Sequence, residues 1–205
     1  MHYFNENTIE HLEHLYKINL INSCSGYKSA NLIGTKSDKG IENVAVFSSV
    51  THIGSSPAML GFFMRPTSVP RNTYENIKSS SFYTINHIHE PILEDAHHSS
   101  AKYESSISEF DKTGLDPEYK NGFFAPFVKN APVQMAMRFV EQYDIKANGT
   151  ILIIGKIIGL YVTKTSMEED GFIDLSKGKV AAINGLDAYS IPQNHARFGY
   201  QKPKK

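Results

Sequence analysis

The chain has 205 residues with 21 basic and 21 acidic side chains, which is length enough for a full core and leaves no net field to draw it to nucleic acid or an anionic membrane. A single cysteine, Cys24, excludes an internal disulfide, and the longest apolar run, Ile151 to Val162, carries Lys156 and falls short of the ~20 apolar residues of a spanning helix. Nothing in Met1 to Lys17 reads as a signal peptide, so the expectation is one cytoplasmic domain over 1–205, with no membrane segment and a small molecule or another protein as partner.

In chain order, Ile9, Leu12, Leu15, Tyr16 and Ile18 to Leu20 recur at helical spacing, which predicts an N-terminal helix over about 8–20, capped by Asn7 or Thr8. Ala30 to Thr35 and Val44 to Ser49 read as strands joined in a hairpin by the turn-rich Lys36 to Gly40. Ala58 to Met64 follows Pro57 and is almost wholly apolar, as suits a strand covered on both faces. Arg71 to Ile77 looks like a helix start, with Asn72 as cap and Glu75 positioned to complete a capping box.

Ser81 to His87 alternates as a strand, and Pro91 to Lys102 reads as a second helix with proline in its first turn. Gly114 to Asn130 has no period and is expected to be a long surface loop. Pro132 to Ile145 and Thr150 to Lys164 form the strongest hairpin signal, with Asn148-Gly149 favouring a tight type I′ turn. A C-terminal tail is expected over about 186–205, solvated in its Lys-rich end from Gln201 to Lys205. Mostly strands, with helices inserted between them and no regular βαβ alternation, predict a mainly β fold, a β-barrel with helical attachments.

The most informative stretch is Arg65-Pro66-Thr67-Ser68-Val69-Pro70-Arg71-Asn72-Thr73-Tyr74-Glu75-Asn76. A helix N-terminus has unpaired N–H groups and partial positive charge, a ready anion site. Two of the chain's four arginines, Arg65 and Arg71, bracket this turn, and their planar forks suit phosphate oxygens. Thr67, Ser68 and Thr73 add hydroxyl donors. The same pattern is also that of a capped surface helix with two solvated arginines. Gly40 to Ser49, small and polar toward one end, is a strand that a flat heterocycle can approach closely, or an ordinary strand with half-exposed serines.

The ordered set Asn43-Val-Ala-Val-Phe-Ser48, Ser56-Pro57, Arg71-Asn-Thr73-Tyr-Glu-Asn76-Ile77 and Phe82-Tyr-Thr-Ile-Asn86 resembles the flavin reductase-like family of FMN-binding split barrels. The resemblance continues through Ala96-His-His-Ser-Ser100-Ala-Lys102, Ser108-Glu-Phe-Asp-Lys-Thr-Gly-Leu115, Asn148-Gly149 and Arg197-Phe-Gly-Tyr200, and so covers nearly the whole chain. Many ordered matches are more specific than one short motif. One departure is Pro57-Ala58 where many relatives have Pro-Pro.

The resemblance implies an antiparallel split barrel that dimerises, with FMN in a groove near the interface. Asn43 and the backbone at Val46, Phe47, Ser48 and Ser49 would meet the ring edge and ribityl chain. Arg65, Thr67, Arg71, Asn72, Thr73 and Asn76 would surround the phosphate, and Ser99, Ser100 and Lys102 would approach from the second helix. The implied reaction is hydride transfer from NADH or NADPH to the flavin, which needs no catalytic side chain because the flavin carries the chemistry. Reduced flavin could then serve a partner monooxygenase; a flavoredoxin-type electron carrier, or a non-catalytic FMN-binding dimer, is the alternative.

The histidines point elsewhere only weakly. His87 and His89 would share a strand face with Glu94 following, a conceivable metal set, but Pro91 and a helix intervene and the glycines and later histidine of a cupin-like site are missing. His97 and His98, adjacent on a helix, diverge by about 100°. His11 and His14 share a helix face as a solvated pair, and Cys24 reads as a small buried or partly buried residue.

Overall fold

The computed structural model describes residues 1–203; Lys204 and Lys205, the end of the expected solvated tail, lie outside them. The N-terminal stretch forms two helices, α1 (Glu6–Glu10) and α2 (His14–Cys24), where one was expected. Asn5, not Asn7 or Thr8, caps α1 by accepting from the Thr8 N–H at 2.8 Å, and Glu13 accepts from the N–H groups of Leu15 and Tyr16 to start α2. An acceptor ahead of each first turn satisfies orphan donors there, so two short helices replace one. Neither helix buries a residue, His11 and His14 fall at the ends of different helices, and Cys24 is exposed rather than buried.

The chain then forms β1 (Lys28–Ser29), β2 (Asn31–Lys36), β3 (Glu42–Phe47), β4 (Thr51–Ser55), β5 (Ala58–Met64), α3 (Asn72–Ser80), β6 (Phe82–His87) and α4 (Leu93–His98). The short β7 (Pro117–Glu118) and β8 (Phe127–Val128) pair inside the segment expected to be a structureless loop, followed by β9 (Val133–Ile145), β10 (Thr150–Val162), β11 (Ala182–Asn184) and β12 (Ala188–Ser190). Seven strands make one antiparallel sheet in the order β3-β2-β6-β9-β10-β5-β4, and β1, β11 and β12 form a small second sheet. The expected mainly β, split-barrel architecture is therefore present.

Both hairpins read from the sequence are found. In the first, Gly40 takes φ +83°, the left-handed conformation that closes the turn between β2 and β3. In the second, only Gly149 has positive φ, at +72°, and its N–H and that of Asn148 both donate to the Ile145 carbonyl. A type I′ turn would need positive φ at both central residues, so this is a wider loop over Lys146 to Gly149 instead of the tight turn expected. Strand β5 is not covered throughout: Phe62 and Met64 are buried, whereas Phe63 between them faces solvent.

Period-two alternation sorts the apolar residues into two cores. Ile33, Phe62, Tyr83, Ile85, Met135, Met137 and Ile153 fill the barrel interior, into which Ile77 of α3 inserts. Leu32, Val44, Ile88, Ala96, Phe110 and Ile183 make a second core between the outer face of β2 and β3 and the elements that cover it. Ser49, between β3 and β4, uses its hydroxyl to bond both the N–H and the carbonyl of Phe63 in β5, in line with the β4–β5 register that sets Thr51 opposite Gly61. Among the described residues no regular element follows β12, although Arg197 pairs with Asp170 at 2.7 Å and lies over the Phe172 ring.

Candidate functional site

Strand β3 ends the sheet order and so pairs on one side only. Its free side carries backbone groups available to a ligand or to side chains. Glu109 takes one of them, accepting from the Val44 N–H at 3.1 Å. Burial pushes the Glu109 carboxyl upward, partly countered by this bond and by its own backbone N–H. Sequence reasoning quoted Glu109 within a motif and gave it no role; its partner is 65 residues away, and no local pattern marks such a pairing.

On the inner face, Thr35 of β2 sits opposite Asn43 of β3, and α3 packs across both strands. Asn43 Nδ2 donates to Thr73 Oγ1 at 3.1 Å and Asn76 Nδ2 donates to Thr35 Oγ1 at 3.0 Å. All four residues are buried, so each bond is made away from competing water. They dock the first two turns of α3 onto the edge of the barrel. Three of these residues are sequence-predicted site residues that the structure brings together; Thr35 was missed, although its register opposite Asn43 would have revealed it.

Helix α3 begins one residue earlier than expected: Arg71, with extended backbone at φ −133° and ψ 94°, occupies the cap position, and no side chain caps the helix. Asn72 lies in the first turn, and the capping box with Glu75 is absent. The first-turn N–H groups are therefore left to solvent or a ligand, beside Arg71, whose Nε donates to the Pro66 carbonyl at 3.3 Å. Arg71 and Asn72 are partly buried, while Arg65 and Thr67 are exposed on the approach from β5. An anion placed here meets uncapped amides, the helix's positive end and at least one guanidinium.

Along β3, Val46, Phe47, Ser48 and Ser49 are all partly exposed, the two serines lying beyond the strand end. Ser49 is committed to Phe63, leaving Ser48 as the freer hydroxyl. The predicted second helix is shorter than expected: a 3₁₀ turn at Glu90–Ile92 leads into α4, which ends at His98, so Ser99, Ser100 and Lys102 lie in and after its last turn. Ser99 is buried and its hydroxyl donates to the Ala96 carbonyl at 2.7 Å, whereas Ser100 and Lys102 are exposed. Nearby, His97 Nδ1 and Tyr189 Oη are 3.3 Å apart, a pairing between α4 and β12 that spacing did not reveal. Among the described residues no three His, Cys, Asp or Glu side chains gather as a metal site, and no helix is long and apolar enough to cross a membrane.

This mainly antiparallel β fold with few helices is shared with a split-barrel flavin reductase structure. Residues 26–177 match the model of the flavin reductase like domain, and the chain belongs to that family. It is 43% identical to a putative flavin reductase with split barrel domain from Shewanella frigidimarina NCIMB 400, covering 98% of this chain and 100% of that one at a TM-score of 0.95. Nitrilotriacetate monooxygenase component B from Bacillus cereus shares the fold at 16% identity, with 97% and 98% covered and a TM-score of 0.84. Flavoredoxin of Desulfovibrio vulgaris (Miyazaki F) does so at 18% identity, with 85% and 91% covered and a TM-score of 0.73.

Proposed function

We propose that this protein binds FMN and acts as a NAD(P)H-dependent flavin oxidoreductase, as a cytoplasmic homodimer. The observation that carries the reading is the uncapped start of α3 beside Arg71, locked against the free-edged strand β3. The residues fit a ligand with a phosphate at one end and a flat hydrogen-bonding ring at the other. In this reading the α3 amides and Arg71 hold the phosphate, with Arg65 and Thr67 at its open side. Asn43, Thr73 and Asn76 fix the angle of α3 to the sheet, and the backbone from Val46 to Ser49 lies along the ring edge. Ser100 and Lys102 border the opposite side.

Bound FMN would supply hydride acceptance, and the chain supplies position and electrostatics. Fixed amides and a guanidinium favour the anion without reorganising when it arrives. A second reading, a flavoredoxin-like carrier without nicotinamide chemistry, is favoured by the flavoredoxin likeness; relatives named as monooxygenase components favour a reductase that serves a partner oxygenase.

One experiment tests both levels. The purified protein should be yellow, or should quench added FMN fluorescence at one FMN per chain, and the loaded protein should oxidise NADH or NADPH steadily with an acceptor present. A protein that neither carries nor quenches FMN sinks the proposal. Flavin binding without nicotinamide oxidation transfers it to the carrier reading.

A further inference from the structure

A pocket of ≈ 250 Å³ lies where β1 runs into β2, walled on the other side by Leu175, Ser176 and Val180 to Ala182 and by Pro192 and Asn194 of the C-terminal segment. None of the residues assigned above to the flavin lines it. Asn31 of β2 and His87 of β6 do, and they stand directly opposite each other in the antiparallel register, hence on one face of the sheet. Asn31 is 1% exposed. Its Oδ1 and the Nδ1 of His87 are buried atoms without a hydrogen-bond partner.

Several other polar side chains of the wall are already engaged. Asn31 Nδ2 donates to Ser29 Oγ, and Ser29 Oγ donates to the Val50 carbonyl. Lys28 Nζ donates to the Asn22 carbonyl and to Ser25 Oγ. Ser176 Oγ and Asn194 Nδ2 both donate to Asp174 Oδ1. The rest of the wall is alanine, leucine, valine and proline, with Tyr27 at the mouth. Buried polar atoms of this kind are ordinarily satisfied, and the space far exceeds the ≈ 30 Å³ share of one water.

We infer that this pocket is a second ligand site, taking a small, uncharged, planar molecule with an apolar body and one amide-like group whose N–H reaches Asn31 Oδ1 and whose other polar atom meets His87. A charged ligand does not suit it, because the one nearby ammonium is held by other acceptors and burial keeps the imidazole neutral. The volume lies just below the usual range for drug-sized ligands, which suits a single substituted ring.

Benzamide is the probe, titrated calorimetrically or by NMR into the full-length protein with and without saturating FMN. Saturable one-to-one binding, unaffected by FMN, is expected. Asn31→Leu removes the acceptor, and Ala182→Leu fills the pocket from the opposite wall without touching Asn31 or His87. Each should weaken benzamide about tenfold or more and leave FMN affinity unchanged. Benzoate, with the same ring but a charge and no donor, should bind far more weakly. The proposal is overturned if benzamide fails to saturate, if it binds equally to both variants, or if FMN displaces it.

Discussion

Ser49 Oγ accepts from the Phe63 N–H at 3.0 Å and donates to the Phe63 carbonyl at 3.2 Å, so one hydroxyl carries the β4–β5 pairing, which sets Thr51 opposite Gly61, past the end of β4. Ser49→Ala removes both bonds at a partly solvated position. The expected loss is about 1–2 kcal/mol in urea unfolding. An unchanged midpoint would mean that the β4–β5 ladder and core packing, including the Phe47 and Phe62 rings 5.1 Å apart, hold this corner alone.

The Asn43 to Thr73 bond is buried, so removing one partner strands the other away from water. Asn43→Ala should cost about 1–3 kcal/mol. Combined with Thr73→Val in a double-mutant cycle, the pair should show a coupling of about 1 kcal/mol. Additive losses would show that the contact does not hold α3 to β3.

Among the described residues Arg71 makes a single 3.3 Å bond, to the Pro66 carbonyl. Arg71→Gln should therefore leave the melting temperature nearly unchanged while weakening FMN, read by fluorescence quenching, by about 1.5–3 kcal/mol, with the difference shrinking in high salt. Asn76→Ala should do the reverse, because its amide is bonded to Thr35 inside the fold. An Arg71 variant that binds FMN normally would move the phosphate elsewhere.

Gly34 of β2 has no room for a side chain: a Cβ there would collide with the Pro126 carbonyl and with Thr84 Oγ1, which are themselves hydrogen-bonded at 2.6 Å. Backbone cannot retreat as a flexible side chain would. Gly34→Ala should cost about 3 kcal/mol, visible as a lowered thermal midpoint. A variant of normal stability would show that the Pro126 segment yields freely.

His87 is pushed down from 6.5 to about 4 by burial. A depressed folded-state pKa places its stabilising contribution above the unfolded value of 6.5, and that contribution is lost as pH falls from there through about 4. Stability measured across this window should fall, and His87→Leu should flatten the fall relative to the parent. Parallel pH curves for the two proteins would refute burial of the neutral ring as its source.

Much of the barrel could be read locally. Strand-like runs, turn residues and, at β6, alternation located β2, β3, β5, β6, β9 and β10 to within two residues, because these signals lie in residues that are neighbours in sequence. These signals failed at β4, β7, β8, β11 and β12, which are too short for a period to show. The misplaced cap at α3 has a tertiary origin. Asn72 is a good cap by type, but docking Thr73 and Asn76 onto Thr35 and Asn43 fixes the helix's rotation and start, leaving Arg71 at its entrance.

The sequence by itself determined the family and the strand-rich class, since these rest on residue types in order and on local periodicity. Tertiary structure alone decided that Ser49 bonds Phe63, that Glu109 occupies the free edge of β3, and that Asn31 and His87 face one pocket. Each of those pairings joins residues 14 to 65 positions apart. Their meeting depends on register and packing summed over the whole sheet, which no local window of sequence contains.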